Sequence, residues 1–476
     1  MMHVMYLKKH SVLFAILVGA FSLVLTNSAF NILLPNFLQI YDISTTIGGW
    51  IIILYLLAMT ITMPLASLIV DRLGRKKTYI LGTSIYCLFS IIGGLFFQYV
   101  HVVMLVRFMH GVAAGLMIPL SLVLLFDFYG KEVRGKVTGV WGMLLTIAPA
   151  IGPTLGGIII QFGELDYLFW INVPFALFSL LLCCTQIKPY QPANRKIIHL
   201  KGIIRMILSI TALSLSIQFF SNPTIPRWIS GILLILGVVA LVQFIQNENK
   251  KSEPLIRYKL LRNPIYAIST IISVVQASVM FGVIFVLPLM FQEVFLLSPS
   301  LTGAMFIPAA IFTSLFVWVG GNLLDSGKPL NFIAYGIGFI VISISLFAFV
   351  PKEVSLIVIV LLMSVRGIGY GLSNMTVATI GLNSLPEEDL HEGSVLSNTI
   401  QRLTSSFTVM LLAVYYDVRW QMMAQSGESV EYAKWMALKE ECIALGCLML
   451  LTLPLVLYIK RKKVDVDVGD KKGAAI

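Results

Sequence analysis

Stretches of about 20 residues with scarcely a charge recur along this chain, and its polar residues collect in short clusters between them. They fall near 11–35, 46–69, 78–99, 102–126, 136–161, 167–187, 202–220, 228–246, 265–291, 300–323, 331–350, 354–380, 394–416 and 441–459. A helix needs about 20 apolar residues to cross a hydrocarbon core. The pattern therefore predicts an all-α polytopic membrane protein with fourteen transmembrane helices. Spans seven and eight are short and meet at the turn-like Ser221-Asn222-Pro223. An even number of spans puts both termini on one side of the membrane.

The basic residues choose that side. If the N-terminus is cytoplasmic, only Arg227, Lys352, Arg419, Lys434 and Lys439 fall in outer segments, and Arg107, Arg366 and Arg402 lie within helices. Every other Lys and Arg is then cytoplasmic, as the positive-inside rule requires. The tail Lys460-Arg461-Lys462-Lys463 is read as stop-transfer charge or as an anchor that touches anionic membrane lipids. The outer segment Asp417–Glu440 reads as a small amphipathic loop.

Composition agrees with this solvent. Of 476 residues, 58% are hydrophobic and 12% charged, and the mean hydropathy is +0.90. The net charge of +11 lies between apolar runs and forms no soluble basic domain, so nucleic acid is excluded as a partner. All five cysteines sit inside apolar runs without metal or disulfide spacing. The first apolar run continues past a signal-peptide core and shows no cleavage site, so it is expected to stay attached. No phosphate-binding loop, nucleophile elbow or metal cluster is visible, and neither an enzyme nor a cofactor is expected.

Two cytoplasmic stretches, Lys188–Lys201 and Asn247–Asn263, read as linkers around spans seven and eight. Setting that pair aside leaves six helices on each side, and an internal repeat supports the division. Arg107-Phe-Met-His-Gly in helix 4 is echoed by Arg366-Gly-Ile-Gly-Tyr-Gly in helix 12. Asp71-Arg-Leu-Gly-Arg-Lys-Lys after helix 2 is echoed, one residue shorter, by Asp325-Ser-Gly-Lys after helix 10. The expected organisation is an N-terminal six-helix bundle over 1–187 and a linker with two extra helices over 188–263. A C-terminal six-helix bundle over 264–460 and a cytoplasmic tail over 461–476 complete it.

The most distinctive run is Ala148–Gly157, Ala-Pro-Ala-Ile-Gly-Pro-Thr-Leu-Gly-Gly. Ala148, Gly152 and Gly156 are four apart, which makes a small-residue stripe for close helix packing. Pro149 and Pro153 each remove a backbone donor and predict a bend. This run resembles the fifth-helix motif of antiporters in the major facilitator superfamily. Other passages carry the same likeness: Trp50 through Tyr55, Trp170-Ile-Asn-Val-Pro174, Pro288 through Gln292 with Ser298–Gly303, and Leu385-Pro386 with Gly393, Asn398 and Arg402. From about residue 25 to 415 the chain resembles the fourteen-helix drug:proton antiporters of that superfamily.

That resemblance implies the major facilitator fold and a conformational latch of Asp71, Gly74, Arg75 and Asp127, with Arg75 and Asp127 paired in the outward-facing state. Ser67 stands where the family's latch motif has glycine. It also implies that Pro149, Gly152, Pro153, Gly156 and Gly157 form the antiporter motif. Arg107, an intramembrane charge, either serves a structural role or lies near a proton path. His110, one turn on, is either a packing residue or a proton carrier. Arg366 and Arg402, with Gln401, Asn398 and Asn374 near them in sequence, form a polar network or a site for an anionic group. Thr26, Asn27, Asn31, Trp50, Tyr55 and Gln276 are expected in the substrate cavity, with Phe30, Met280 and Phe281 beside them.

Helix 1 departs from the family pattern. The family has an acidic residue where this chain has Thr26, although Asn31 and Pro35 match. No other helix centre carries Asp or Glu. Embedded arginines effectively never deprotonate, so neutral, zwitterionic or anionic amphiphiles are favoured over dications. The leading reading is export of amphipathic toxic compounds or drugs by proton antiport and alternating access, by a monomer in the bacterial plasma membrane. The alternative is a dedicated exporter of one endogenous amphiphile, such as a lipid, peptide or metabolite. A non-transporting membrane sensor lacks the soluble domain it would need.

Overall fold

The structure, a computed structural model, describes residues 2–129, 141, 144–145, 148, 151–152, 154–161, 164–187, 200–221, 225–248, 250–251, 257–324, 329–386 and 389–459. All regular structure among these residues is helical. Ten helices among them are long and apolar enough to cross a membrane.

The first five elements are α1 (Met2–Ile32), the short α2 (Leu34–Tyr41), α3 (Thr45–Leu73), α4 (Arg75–Leu95) and α5 (Val100–Tyr129). Positions 154–161 are helical, and a single turn, Tyr167–Trp170, leads into α6 (Asn172–Gln186). Next come α7 (Leu200–Ser221), α8 (Arg227–Glu248) and α9 (Pro264–Leu289). After them lie α10 (Pro299–Ala304), α11 (Ile307–Leu324), α12 (Pro329–Phe347), α13 (Leu356–Asn383), α14 (Leu390–Gln425) and α15 (Val430–Leu450).

Several ends are set by local chemistry. The Ser44 hydroxyl accepts from Ile47 N, Ser429 from Tyr432 N, and the Asn263 carboxamide oxygen from both Ile265 N and Tyr266 N. Each of these side chains satisfies a donor that the first helical turn leaves unpaired. Pro288 inside α9 withholds a donor near its end, and a π-helical turn, Met290–Val294, follows at once. The stretch from Asp71 to Lys77 is helical except for one residue. Gly74, at φ 80°, ends α3 and begins α4, a conformation that glycine adopts without steric cost.

The N-terminal helices pack around α1, α3 and α5, and the C-terminal ones around α9, α13 and α14. Contacts of α14 with α3, and of α1 with α9, join the two groups. Helices α7 and α8 pair with each other, Gly237 lying against Leu213 and the Ser216 hydroxyl donating to Ser230 O at 2.8 Å. Helix α7 leans on α3 and α14.

One expectation is overturned. The segment Asp417–Glu440 is not a loop, because α14 continues to Gln425 and α15 begins at Val430. Gly427, at φ 100°, sits in the turn between them. The charges that suggested a solvated loop are matched across this hairpin and against the π-helical turn after α9. Arg419 grips Glu440 with two bonds of 2.8 and 2.7 Å, and Lys434 meets Glu293 at 2.9 Å. Glu441 is also buried there, and neither of its carboxylate oxygens has a hydrogen-bond partner.

Candidate functional site

A cavity of about 250 Å³ opens between the N-terminal and C-terminal helices. From the N-terminal side its wall includes Asn27 and Ser28 of α1, Tyr55 and Met59 of α3, and Ile118 of α5. The opposite wall includes Met280 and Phe281 of α9, Phe306 and Thr313, Arg366 and Tyr370 of α13, and Arg402 of α14. The wall is apolar over most of its area and carries a few polar groups, as a site for a small amphipathic molecule requires.

The two groups of helices treat their buried arginines differently. Arg107 of α5 is fully buried. Its Nε donates to Ile51 O at 2.8 Å and its Nη2 to Asn27 Oδ1 at 2.6 Å. The guanidinium lies between two rings, 4.5 Å from the Phe30 centroid and 4.6 Å from that of Tyr55. Hydrogen bonds and ring faces together offset the cost of burying this cation. Arg107 thereby ties α5 to α1 and α3.

Arg366 is 6% exposed and its Nε finds no acceptor. Its guanidinium carbon lies 5.6 Å from the Phe306 ring centroid. Arg402 is half-buried on the same cavity, its guanidinium 5.4 Å from the Phe281 centroid. Asn374 and Gln401, which the sequence places near them, also line the wall. Gln401 is engaged with Ser397 at 2.9 Å. No Asp, Glu or His lines this cavity among the described residues.

Of the residues expected in the cavity, Asn27 and Tyr55 line it, and Thr26, Trp50 and Gln276 do not. The Thr26 hydroxyl turns to Asn172 Oδ1 and lies 3.5 Å from the Tyr86 hydroxyl. It therefore braces α1 against α4 and α6. Neighbouring helix positions are about 100° apart, so Asn27 faces the cavity while Thr26 faces away. Gln276 is buried and donates to Ser373 Oγ at 2.9 Å, linking α9 to α13. The side chain of Asn31 lies outside the described residues.

His110 is also absent from the wall. Its Nε2 is 3.1 Å from Ser90 Oγ, and its ring meets Tyr86 edge to face at 4.9 Å. These contacts seat it between α4 and α5. Sequence reasoning did not foresee Phe306 as the ring beside Arg366 or Asn172 as the partner of Thr26. A lone aromatic or amide in an apolar run carries no signal for such a contact.

The glycines of the Ala148–Gly157 run have separate partners. A side chain on Gly152 would meet Ser28 Cβ at 2.5 Å and Leu25 O at 2.6 Å, so this position seats the segment against α1. One on Gly157 would meet Pro299 O and Ser300 Cα, both at 2.5 Å, at the start of α10. The Thr154 hydroxyl donates to Gly303 O at 3.1 Å beside it. One face of this segment is thus packed within the N-terminal helices, and its end closes onto the C-terminal ones. Gly156 is buried, while Pro149 and Pro153 lie outside the described residues. Of the residues expected to form a latch, Gly74 is buried and Arg75 half-buried, and the side chains of Asp71 and Asp127 lie outside the described residues.

Membrane-length apolar helices surround a cavity between two helical groups, the arrangement of a multi-pass membrane protein that can take a small molecule between them. The chain belongs to the Major Facilitator Superfamily, whose family model matches residues 16–409. Among curated relatives, it is 26% identical over 401 residues to the lincomycin resistance protein LmrB of Listeria monocytogenes, covering 83% of each chain. It is 25% identical over 405 residues to the probable multidrug resistance protein EmrY of Escherichia coli, covering 82% of this chain and 77% of that one. Among solved structures, a POT family transporter in complex with a thioalcohol-conjugated peptide aligns with a TM-score of 0.67 at 15% identity, covering 94% of this chain and 96% of that one. A D-xylose–proton symporter aligns with a TM-score of 0.64 at 15% identity, covering 94% and 98%. These structural likenesses concern the fold. The chain is a multi-pass protein of the plasma membrane, and the bacterial relatives it resembles are named for resistance to lincomycin or to several drugs.

Proposed function

We propose that the protein is a secondary active transporter that exports amphipathic drugs or toxic compounds across the plasma membrane by alternating access and proton antiport. The observation that carries this reading is the cavity between the N-terminal and C-terminal helices, apolar over most of its wall and bounded by aromatic and Met side chains. Such walls accept several shapes. Relatives named for lincomycin and multidrug resistance support the substrate class. In this reading fourteen helices are arranged as six, two and six, both termini are cytoplasmic, and the protein works as a monomer. The bundles rock about the cavity, with Asp71, Gly74, Arg75 and Asp127 as the latch and the Gly157–Pro299 contact as the opposing closure.

Proton coupling then relies on groups away from the cavity wall, since neither a carboxylate nor a histidine lies on it among the described residues. Asp71 and Asp127 are the candidates, because His110 is held by Ser90 and Tyr86. A second reading, a dedicated exporter of one endogenous amphiphile, is favoured by the two arginines on one wall, which suit a defined headgroup better than a broad range of cations.

The test uses inside-out vesicles with an acidic lumen. Uptake of several unrelated dyes, with alkalinisation of the lumen on each addition, is the expected result. Uptake without alkalinisation removes the proton from the mechanism. Silence with every dye, from protein shown to be folded, overturns multidrug export.

A further inference from the structure

The wall of the cavity contributed by α13 and α14 carries two guanidinium groups and, among the described residues, no acid to balance them. Arg366 is buried, its Nε without a hydrogen-bond partner, and Arg402 is half-buried on the same wall. The ring faces of Phe306 and Phe281 are their neighbours. A ring face attracts a cation but leaves its N–H donors unanswered. Burying a charge in this way is costly unless a counter-charge arrives.

Arg107 shows what this chain does when an arginine serves only to hold helices together. Its donors are directed to Ile51 O and Asn27 Oδ1, and two rings enclose it. Arg366 and Arg402 line the cavity instead, and Arg366 Nε has no hydrogen-bond partner. Nearby, Asn374 and Tyr370 add neutral polar groups to the same wall, and Met280 and Ile284 continue it as an apolar surface.

We propose that this cavity binds amphiphiles with a single oxyanion headgroup, a carboxylate, sulfonate or phosphate ester, seated against Arg366 and Arg402. The apolar body of the ligand lies along Met280, Phe281 and Ile284. A guanidinium presents paired N–H donors that match two oxygens of such a headgroup. A lipophilic cation of the same shape meets two like charges and no partner, and it is rejected. The inference rests on the transport reading above and narrows its substrate class.

A matched series separates the headgroup from the body: 4-phenylbutyrate, 4-phenylbutyramide and 4-phenylbutylammonium. Titration calorimetry on the purified full-length protein in a non-ionic detergent reads all three. The carboxylate is expected to bind at least about tenfold more tightly than the amide, the contribution of one charge-assisted pair, and the ammonium most weakly. Arg402→Gln, at a half-buried position, is expected to bring the carboxylate-to-amide ratio close to one. Arg366→Gln should do the same, and Arg366→Lys, which keeps a cation in place, guards against a folding defect by retaining part of the preference.

Equal or tighter binding of the amide or ammonium overturns the proposal. So does an unchanged ratio in both glutamine variants, or failure of the folded protein to bind any of the three. Proteoliposomes keep this apart from the wider reading. Flux of the amide or ammonium without a carboxylate preference leaves transport standing and removes the anion site. Carboxylate-selective binding without flux of any compound does the reverse.

Discussion

Arg107 and Arg366 occupy corresponding places in the repeat expected from the sequence, one in α5 and the other in α13, yet their surroundings have opposite character. Around Arg107 the N-terminal helices supply a backbone carbonyl, a carboxamide oxygen and two ring faces. Around Arg366 the C-terminal helices supply one ring at 5.6 Å and a cavity. A buried cation whose donors are filled by its own chain is a fastener. A buried cation whose donors face a cavity depends on something that enters it. In the proposal made above, the same residue type therefore serves assembly in one group of helices and recognition in the other.

The largest effect is expected at the fastener. Arg107→Met leaves Asn27 Oδ1 buried without its donor and opens the contact between α5, α1 and α3. A loss of about 3 kcal/mol is expected from the orphaned polar group and the lost packing, read as a lower thermal midpoint and a smaller yield of monodisperse protein. Arg107→Lys should recover little of this, because one ammonium cannot reproduce the two directions of the guanidinium. At the other end of the comparison, Arg366→Gln should leave the thermal midpoint unchanged or raise it, since it removes a charge the fold does not satisfy. A midpoint that falls as far as in the Arg107 variant would make both arginines fasteners.

The closure contact comes next. Gly157→Val places a side chain against the backbone of Pro299 and Ser300, whereas Gly152→Val presses on α1 within one bundle. The first should fold normally but lose about tenfold in transport rate, the effect of ~1.4 kcal/mol on an equilibrium. The second should appear mainly as poor folding yield. Equal stability loss in both variants would remove the distinction between packing and closure. His110→Gln should be milder, because glutamine can still reach Ser90, and the pH profile of transport should keep its shape. Smallest of all is Lys352→Met. It breaks an exposed pair with Glu431, and a change below about 1 kcal/mol is expected in chemical denaturation.

The apolar runs were readable because the length of a lipid-crossing helix is fixed by the thickness of the hydrocarbon core. Gly74 was readable for a similar reason, since a helix-to-helix turn at a single residue needs a backbone that tolerates positive φ. The facing of α1 was not. Thr26 was expected in the cavity with Asn27, but adjacent polar residues in an apolar run do not say which of them faces the cavity. Only packing against Asn172 and Tyr86 turns Thr26 away. The partner of Arg107 lay 80 residues earlier in the chain, a pairing that no local pattern carries. The hairpin over Asp417–Glu440 was misread because its charges suggested solvent, whereas Arg419–Glu440 and Lys434–Glu293 balance them across helices.

Access to the cavity from both sides of the membrane is the most direct test of a transporter built this way. Ala310 lines the cavity, so Ala310→Cys on a background with the native cysteines replaced reports its exposure. A membrane-impermeant thiol reagent would be applied to right-side-out and then to inside-out vesicles. Alternating access predicts that the cysteine is labelled from either face and that a bound amphiphile slows both reactions. Labelling from one face alone, under every substrate and gradient condition, would contradict it.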